Sequence, residues 1–240
     1  MKYGLGRVPN PFDARDYHLS DHVALVRRMR FLVGERVKIA PVVWSCDTVL
    51  NQGETGHCVG FGWADFGNTL PVDAGLLTAD AHAIYYAAKV IDKEPLQENG
   101  SCTRSGAEAY KDLGRIQTYA FTSSLDNIKD WLLTHGPVVV GTSWYSGMFE
   151  PSTLGLVKPT GSVEGGHEYL IVGYNPAKDV FTFLNSWGDD WGLHGRFKMY
   201  AKDWAGLLAD QGEAVVTLDM VPADAKLVFA TPQGINLAQA

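Results

Sequence analysis

Cys58 is the residue best placed to do chemistry. It ends a polar turn, Asn51-Gln52-Gly53-Glu54-Thr55-Gly56-His57-Cys58, and opens an apolar run with Phe61, Trp63, Ala64 and Phe66 at helical spacing until Pro71. Gly53 and Gly56 punctuate the turn, and Thr55 is predicted to cap the helix. A thiol in the first turn of a helix feels the positive end of the helix dipole, which favours the nucleophilic thiolate. On its own the stretch equally describes a small buried cysteine. Two further stretches bear on the choice. One is Gly165-Gly166-His167-Glu168-Tyr169-Leu170-Ile171-Val172-Gly173-Tyr174. The other is Phe181-Thr182-Phe183-Leu184-Asn185-Ser186-Trp187-Gly188, followed by Trp191-Gly192-Leu193-His194-Gly195-Arg196-Phe197.

Together, in this order, these segments resemble the papain-like cysteine peptidases. In that family a Gln-Gly turn begins six residues before the nucleophile, as Gln52 does here. A Gly-His segment opens a strand ending in Val-Gly-Tyr, and Asn-Ser-Trp-Gly precedes a Trp-Gly-x-x-Gly turn. The resemblance covers residues 41–218. It implies that Cys58 attacks a carbonyl carbon to form an acyl thioester, with His167 as acid and base. It further implies that Asn185 orients the imidazole, Gln52 donates to the oxyanion, and Trp187 shields the Asn–His hydrogen bond. His57 adjoins the nucleophile, but neighbours on a helix do not face one another, so it is read as a cleft or surface residue.

The chain departs from the family pattern in three places. Cys58 and His167 are 109 residues apart, a shorter interval than the roughly 130–150 of the plant and lysosomal enzymes. Thr55 stands where secreted members have a bridging cysteine. Glu168 follows the histidine where the family has a small residue. Strand side chains alternate faces, so Glu168 is expected to point away from His167, partly buried and partnered or protonated; the alternative is a solvated carboxylate at the strand's rim.

Positioning these residues requires a helical half and a β-rich half. Helices are predicted over 21–33, from Cys58 towards Pro71, over 78–91, over 105–113 and over 124–134. Short β-branched strands follow at 138–142, 168–174, 180–185, 195–200 and 213–218. The fold class is therefore α+β, and the resemblance implies the papain-like two-lobe fold with the active-site cleft between a helical lobe and an antiparallel β-rich lobe. The organisation reads as an N-terminal arm packing on the core (1–40), a helical lobe carrying the nucleophile (41–118), a β-rich lobe carrying His167 and Asn185 (119–220), and a strand or tail (221–240). Asn99-Gly100-Ser101 is the counterpart of the family's glycine loop, whose backbone pairs with peptide. Pro9, Pro11, Phe12 and Tyr17 suggest an extended arm with aromatic anchors, too short for the family's usual inhibitory domain. It is expected to strap the lobes together without competing with substrate.

The formal net charge of −7 excludes nucleic acid or an anionic membrane as the default partner. Arg27, Arg28 and Arg30 read as a solvated face. No apolar run approaches the roughly 20 residues of a membrane span. The first residues lack the apolar core of a secretory signal. Cys46, Cys58 and Cys102 are too few for a disulfide framework. The chain is thus expected to be a bridge-free monomer of the cytoplasm or another reducing compartment, acting on a peptide or protein substrate. No Cys-x-x-Cys or His-x-x-x-His spacing points to a metal, and the resemblance implies no cofactor. The same triad also serves peptidoglycan amidases, transpeptidases and ligases, and a catalytically silent papain-fold binding module is the non-enzymatic alternative.

Overall fold

A computed structural model describes residues 3–34 and 40–218. The arm contributes β1 (Arg7–Val8), a 3-10 turn (Leu19–Asp21) and helix α1 (Val23–Gly34). After β2 (Val42–Val43) come α2 (Cys58–Asn68), α3 (Thr78–Asp92), β3 (Ser101–Cys102) and α4 (Thr103–Asp112). The second half holds β4 (Tyr119–Phe121), α5 (Leu125–Thr134), β5 (Val138–Tyr145), β6 (Val163–Asn175), β7 (Val180–Leu184), β8 (Arg196–Tyr200), α6 (Ala201–Ala209) and β9 (Glu213–Thr217). Its strands pair antiparallel in the order β4-β9-β5-β6-β7-β8, with β2 added on β6. The architecture is α+β with two lobes.

The apolar pattern explains why the sheet lies between two cores. Along β6, Tyr169 and Ile171 enter one cluster with Trp131, Trp144, Phe183, Phe197 and Trp204. The alternate residues Leu170 and Val172 enter another with Phe61, Trp63, Phe66, Ile84 and Tyr110 of α2, α3 and α4. Strands buried on both faces need apolar residues throughout rather than in alternation, which is the reason for the run Tyr169-Leu170-Ile171-Val172. Helix α2 is buried along its whole length, so the segment that carries Cys58 is also the axis of the helical lobe.

Four expectations are corrected. Thr55 does not cap α2: His57 holds the N-cap position without a side-chain bond, while Thr55 Oγ1 donates to the Gln52 carbonyl at 2.7 Å. Helix α6 was not anticipated, although Ala201, Trp204, Leu207 and Leu208 form its buried face. Phe12 and Tyr17 are no anchors, being 95% and 62% exposed. The arm is held by polar groups instead: Arg104 pairs with Asp16 and donates to the Pro11 carbonyl, and the Asn10 amide donates to Glu213. The fourth concerns the arm's path: it does connect the two lobes, but it does so through the cleft. The tail expected over 221–240 lies outside the described residues, and no helix among those described is long and apolar enough to cross a membrane.

Candidate active site

Cys58 and His167 reach one place from two lobes. Helix α2 starts at Cys58, and its thiol lies against the backbone of Glu168, the residue after His167 on β6. Asn185 follows the end of β7, beside β6 in the sheet. Its Oδ1 is 2.7 Å from His167 Nε2. The Trp187 ring stacks on the imidazole at 4.7 Å between centroids, and Trp144 meets it edge-on at 4.9 Å. The bond between Asn185 and His167 is thus roofed by indole. The other ring nitrogen, Nδ1, is buried and bonded to nothing among the described residues.

Gln52 comes from the turn that precedes α2. That turn is fastened to the Asn185 segment by Gln52 N–H to the Ser186 carbonyl (2.9 Å) and Gly188 N–H to the Leu50 carbonyl (3.0 Å). Ser186 Oγ donates to Gln52 Oε1 at 2.6 Å, and Gln52 Nε2 donates to the Thr55 carbonyl at 2.7 Å, which fixes the amide with its N–H₂ between that carbonyl and the arm. Ser186 was quoted in the sequence without a role, and only contact geometry reveals it. His57 stacks on Tyr85 at 3.8 Å, and its Nδ1 is 2.8 Å from that of His82. It packs half-buried on α3, where burial pushes its pKa down to about 4.

The arm occupies the cleft. Gly4 N–H donates to the Gly53 carbonyl (2.8 Å), and Gly6 N–H to the Gly166 carbonyl (3.0 Å). Ser101 N–H donates to the Gly6 carbonyl (2.9 Å), and β1 pairs with β3 in parallel. The backbone of residues 99–101, expected to receive a peptide, therefore receives the chain's own. The Gly4 carbonyl accepts from Gln52 Nε2 at 3.3 Å, Tyr3 stacks on Trp187 at 4.7 Å, and the Gly6 backbone lies against the Cys58 thiol. A Cβ on Gly4 would stand 1.9 Å from the Thr55 carbonyl oxygen, and one on Gly6 2.0 Å from that of Gly56. Only glycine lets the arm come this close.

Water exclusion sets the protonation of the pair. Burial, then the nearby Glu168 carboxyl, push the Cys58 thiol up to about 12, against opposing backbone N–H contacts. Burial pulls His167 down to about 4, although its bond to Asn185 works the other way. With the arm seated, desolvation of the charged forms opposes the helix terminus and favours the neutral thiol and imidazole.

Glu168 faces the helical lobe, on the side of the strand away from His167. It is wholly buried, and its pKa is raised well above the ordinary carboxyl value, chiefly by burial. Thr103 and Arg7 oppose that shift through proximity, yet neither carboxyl oxygen makes a hydrogen bond of ordinary geometry among the described residues. The expected burial is present, and of the expected alternatives the raised pKa favours the protonated carboxyl.

A sequence model of the papain family of cysteine proteases matches residues 41–212. A cathepsin B-like cysteine proteinase of Ostertagia ostertagi is 33% identical over 105 residues, covering 41% of this chain and 59% of that protein. An uncharacterized peptidase C1-like protein of Acanthamoeba polyphaga mimivirus is 28% identical over 123 residues, 49% of this chain and 40% of that one. The chain thus matches only about half the length of these relatives. Among solved structures, xylellain, a cysteine protease from Xylella fastidiosa, superposes with a TM-score of 0.68 at 21% identity, over 90% of this chain and 96% of its own; that similarity speaks for the fold. With the family match spanning most of the sequence and its motifs meeting in one cleft, the chain belongs to the papain family of cysteine proteases.

Proposed function

We propose that this chain is a cysteine peptidase that hydrolyses peptide bonds through an acyl thioester on Cys58. The observation that carries the reading is the 2.7 Å contact between Asn185 Oδ1 and His167 Nε2. It makes Nε2 the protonated nitrogen and leaves Nδ1 to exchange a proton with the thiol. Cys58 Sγ attacks the carbonyl carbon as its proton passes to His167 Nδ1. The carbonyl oxygen, now negative, is held by Gln52 Nε2 and the Cys58 backbone N–H. The C–N bond then breaks, and the leaving amine takes the proton from Nδ1. Water, deprotonated by Nδ1, attacks the thioester and releases the acid and the thiol. Gln52 already meets a carbonyl oxygen, that of Gly4, as it would meet a substrate's.

The test uses a peptidyl epoxide on the full-length chain, with mass analysis of the products formed from a mixed peptide library and from cell-wall fragments. Modification at Cys58 together with cleaved peptides supports the reading. Cleavage confined to cell-wall fragments makes the chain an amidase instead, and modification absent from Cys58 under all conditions makes it a silent module.

A further inference from the structure

Two histidines that the acyl-transfer steps do not use face each other between two packed helices. His57 holds the N-cap position of α2, and His82 lies early in α3. They are 25 residues apart in sequence, so no local spacing announces them, yet their Nδ1 atoms stand 2.8 Å apart. At that distance one Nδ1 carries a proton and the other presents its lone pair. The rings meet edge-on, with centroids 4.9 Å apart and planes at 86°.

Aromatic neighbours hold both rings in place. His57 stacks on Tyr85 and meets Tyr86 edge-on at 5.5 Å, and His82 meets Phe61 edge-on at 5.2 Å. Ligands whose orientation is fixed by their surroundings are what a metal site needs. Burial keeps the His57 ring neutral, so no bound proton competes for its lone pair near neutral pH. Both residues are nevertheless partly exposed, which lets solvent reach the pair.

We propose that His57 and His82 form a binding site for a first-row divalent cation, Zn(II) or Cu(II), held by the two Nδ1 atoms and completed by water. Imidazole suits these ions and not Mg(II), and Cu(II) should bind more tightly than Zn(II). Zinc–nitrogen bonds of about 2.0–2.1 Å in tetrahedral geometry put the two nitrogens about 3.3 Å apart, so the rings need to part by about 0.5 Å. The proton on the donor ring moves through solvent from Nδ1 to Nε2. Both Nδ1 lone pairs then reach the metal, and no net proton is released. No group of three or more His, Cys, Asp or Glu side chains converges on a possible metal position among the described residues. Water in the remaining positions makes this an exchangeable site, unlike the closed four-ligand kind that stabilises a fold. The positive end of α2 lies beside the dication and weakens binding further. The ion takes no part in the proposed peptidase steps, so the site is tested apart from that reading.

Full-length Cys58→Ala protein, which lacks the cleft thiol, is titrated calorimetrically with zinc chloride near neutral pH. One ion should bind per chain. Removing even an outer partner of a metal site costs about 10–100-fold in affinity, so losing one of two ligands should weaken binding at least tenfold. His82→Ala and His57→Phe should each show that loss; phenylalanine keeps the stack on Tyr85. His194→Ala, which removes a histidine 82% exposed, should leave binding unchanged, and magnesium chloride should give no binding heat. With one equivalent of Cu(II), pulsed electron paramagnetic resonance of the protein with both histidines should count two equatorial imidazoles. That count needs no histidine variant, so a substitution that fails to fold leaves the test intact. No zinc binding, binding unchanged by either His57→Phe or His82→Ala, equal binding of magnesium, or fewer than two imidazoles on Cu(II) overturns the proposal.

Discussion

At the scale of residues, each side chain of the site has a separable energetic role. In the proposed reaction Asn185 orients an imidazole that must become cationic, and hydrogen bonds to charged groups contribute about 1.5–3 kcal/mol. Asn185→Ala is therefore expected to lower kcat roughly 10- to 100-fold with little change in KM, as read by steady-state turnover. Gln52→Ala removes the proposed oxyanion donor and should cost about 2.7–4 kcal/mol of transition-state stabilisation, a larger loss. Glu168 makes a prediction about stability. Its folded pKa is raised, so above the unfolded value near 4.5 the folded chain keeps a proton that the unfolded chain has released. Stability then falls as pH rises, by up to about 1.4 kcal/mol per pH unit for this group. His57, His135 and His167, all pulled down to about 4 by burial, act oppositely between pH 4 and 6.5. Comparison with Glu168→Gln cancels the histidine contributions, which both chains share and which fade above pH 6.5 as the unfolded imidazoles lose their protons. The groups around Glu168 there are Arg7, Glu213 and Cys58. Denaturant melts between pH 6.5 and 8 should show a shallower loss for Glu168→Gln than for the wild-type chain; identical slopes would mean that Glu168 is ionised in the folded state. As candidates, Cys58, His167, Asn185 and Gln52 were legible in the sequence because each sits in a short segment of distinctive spacing. Their protonation was not, because it depends on water being excluded by a remote part of the chain.

At the scale of elements, the arm decides what the cleft can do. Its sequence reads as an extended strap, and Arg7 to Asp16 do behave so, tied to α4 and β9. What could not be read is that residues 3–8 pass over the nucleophile. The apparent anchors Phe12 and Tyr17 drew attention to the wrong segment, whereas the working contacts are backbone hydrogen bonds of Gly4 and Gly6, which carry no side-chain signature. Because a Cβ on Gly6 would overlap the Gly56 carbonyl, Gly6→Val should displace the arm, rehydrate the pair and speed iodoacetamide modification of Cys58 by tenfold or more. An unchanged rate would mean that the arm does not limit access. The strong helices were readable: α2, α3 and α5 carry apolar residues at 3.6 spacing between clear breakers. The meeting of Arg7, Gly141, Glu168 and Glu213 was not, since it arises only through the register of three strands.

At the scale of the whole molecule, two cores share one sheet, and the site is built where they meet. Trp144 joins the site to the β-lobe core: its ring lies 4.9 to 6.4 Å from those of His167, Tyr169, Phe197, Phe149, Trp187 and Trp191. Trp144→Ala should destabilise by about 3–5 kcal/mol, read from denaturant midpoints, and should loosen the imidazole as well. All three cysteines are free and buried, so reductant should leave the melting temperature unmoved; a large fall would require a bridge the structure does not contain. The α+β class and its two halves were legible from the change in periodicity near residue 119, because core patterning survives where loop geometry does not. The central claim is that Cys58 forms an acyl-enzyme with His167 and Asn185. It is tested most directly by intact-mass spectrometry of Gly6→Val protein mixed with an activated peptide ester, quenched in acid and mapped by digestion. The account predicts one acyl adduct, on Cys58, decaying as product appears and absent when Cys58→Ala is added. An adduct that survives Cys58→Ala, or none on a Cys58 that iodoacetamide still modifies, would contradict it.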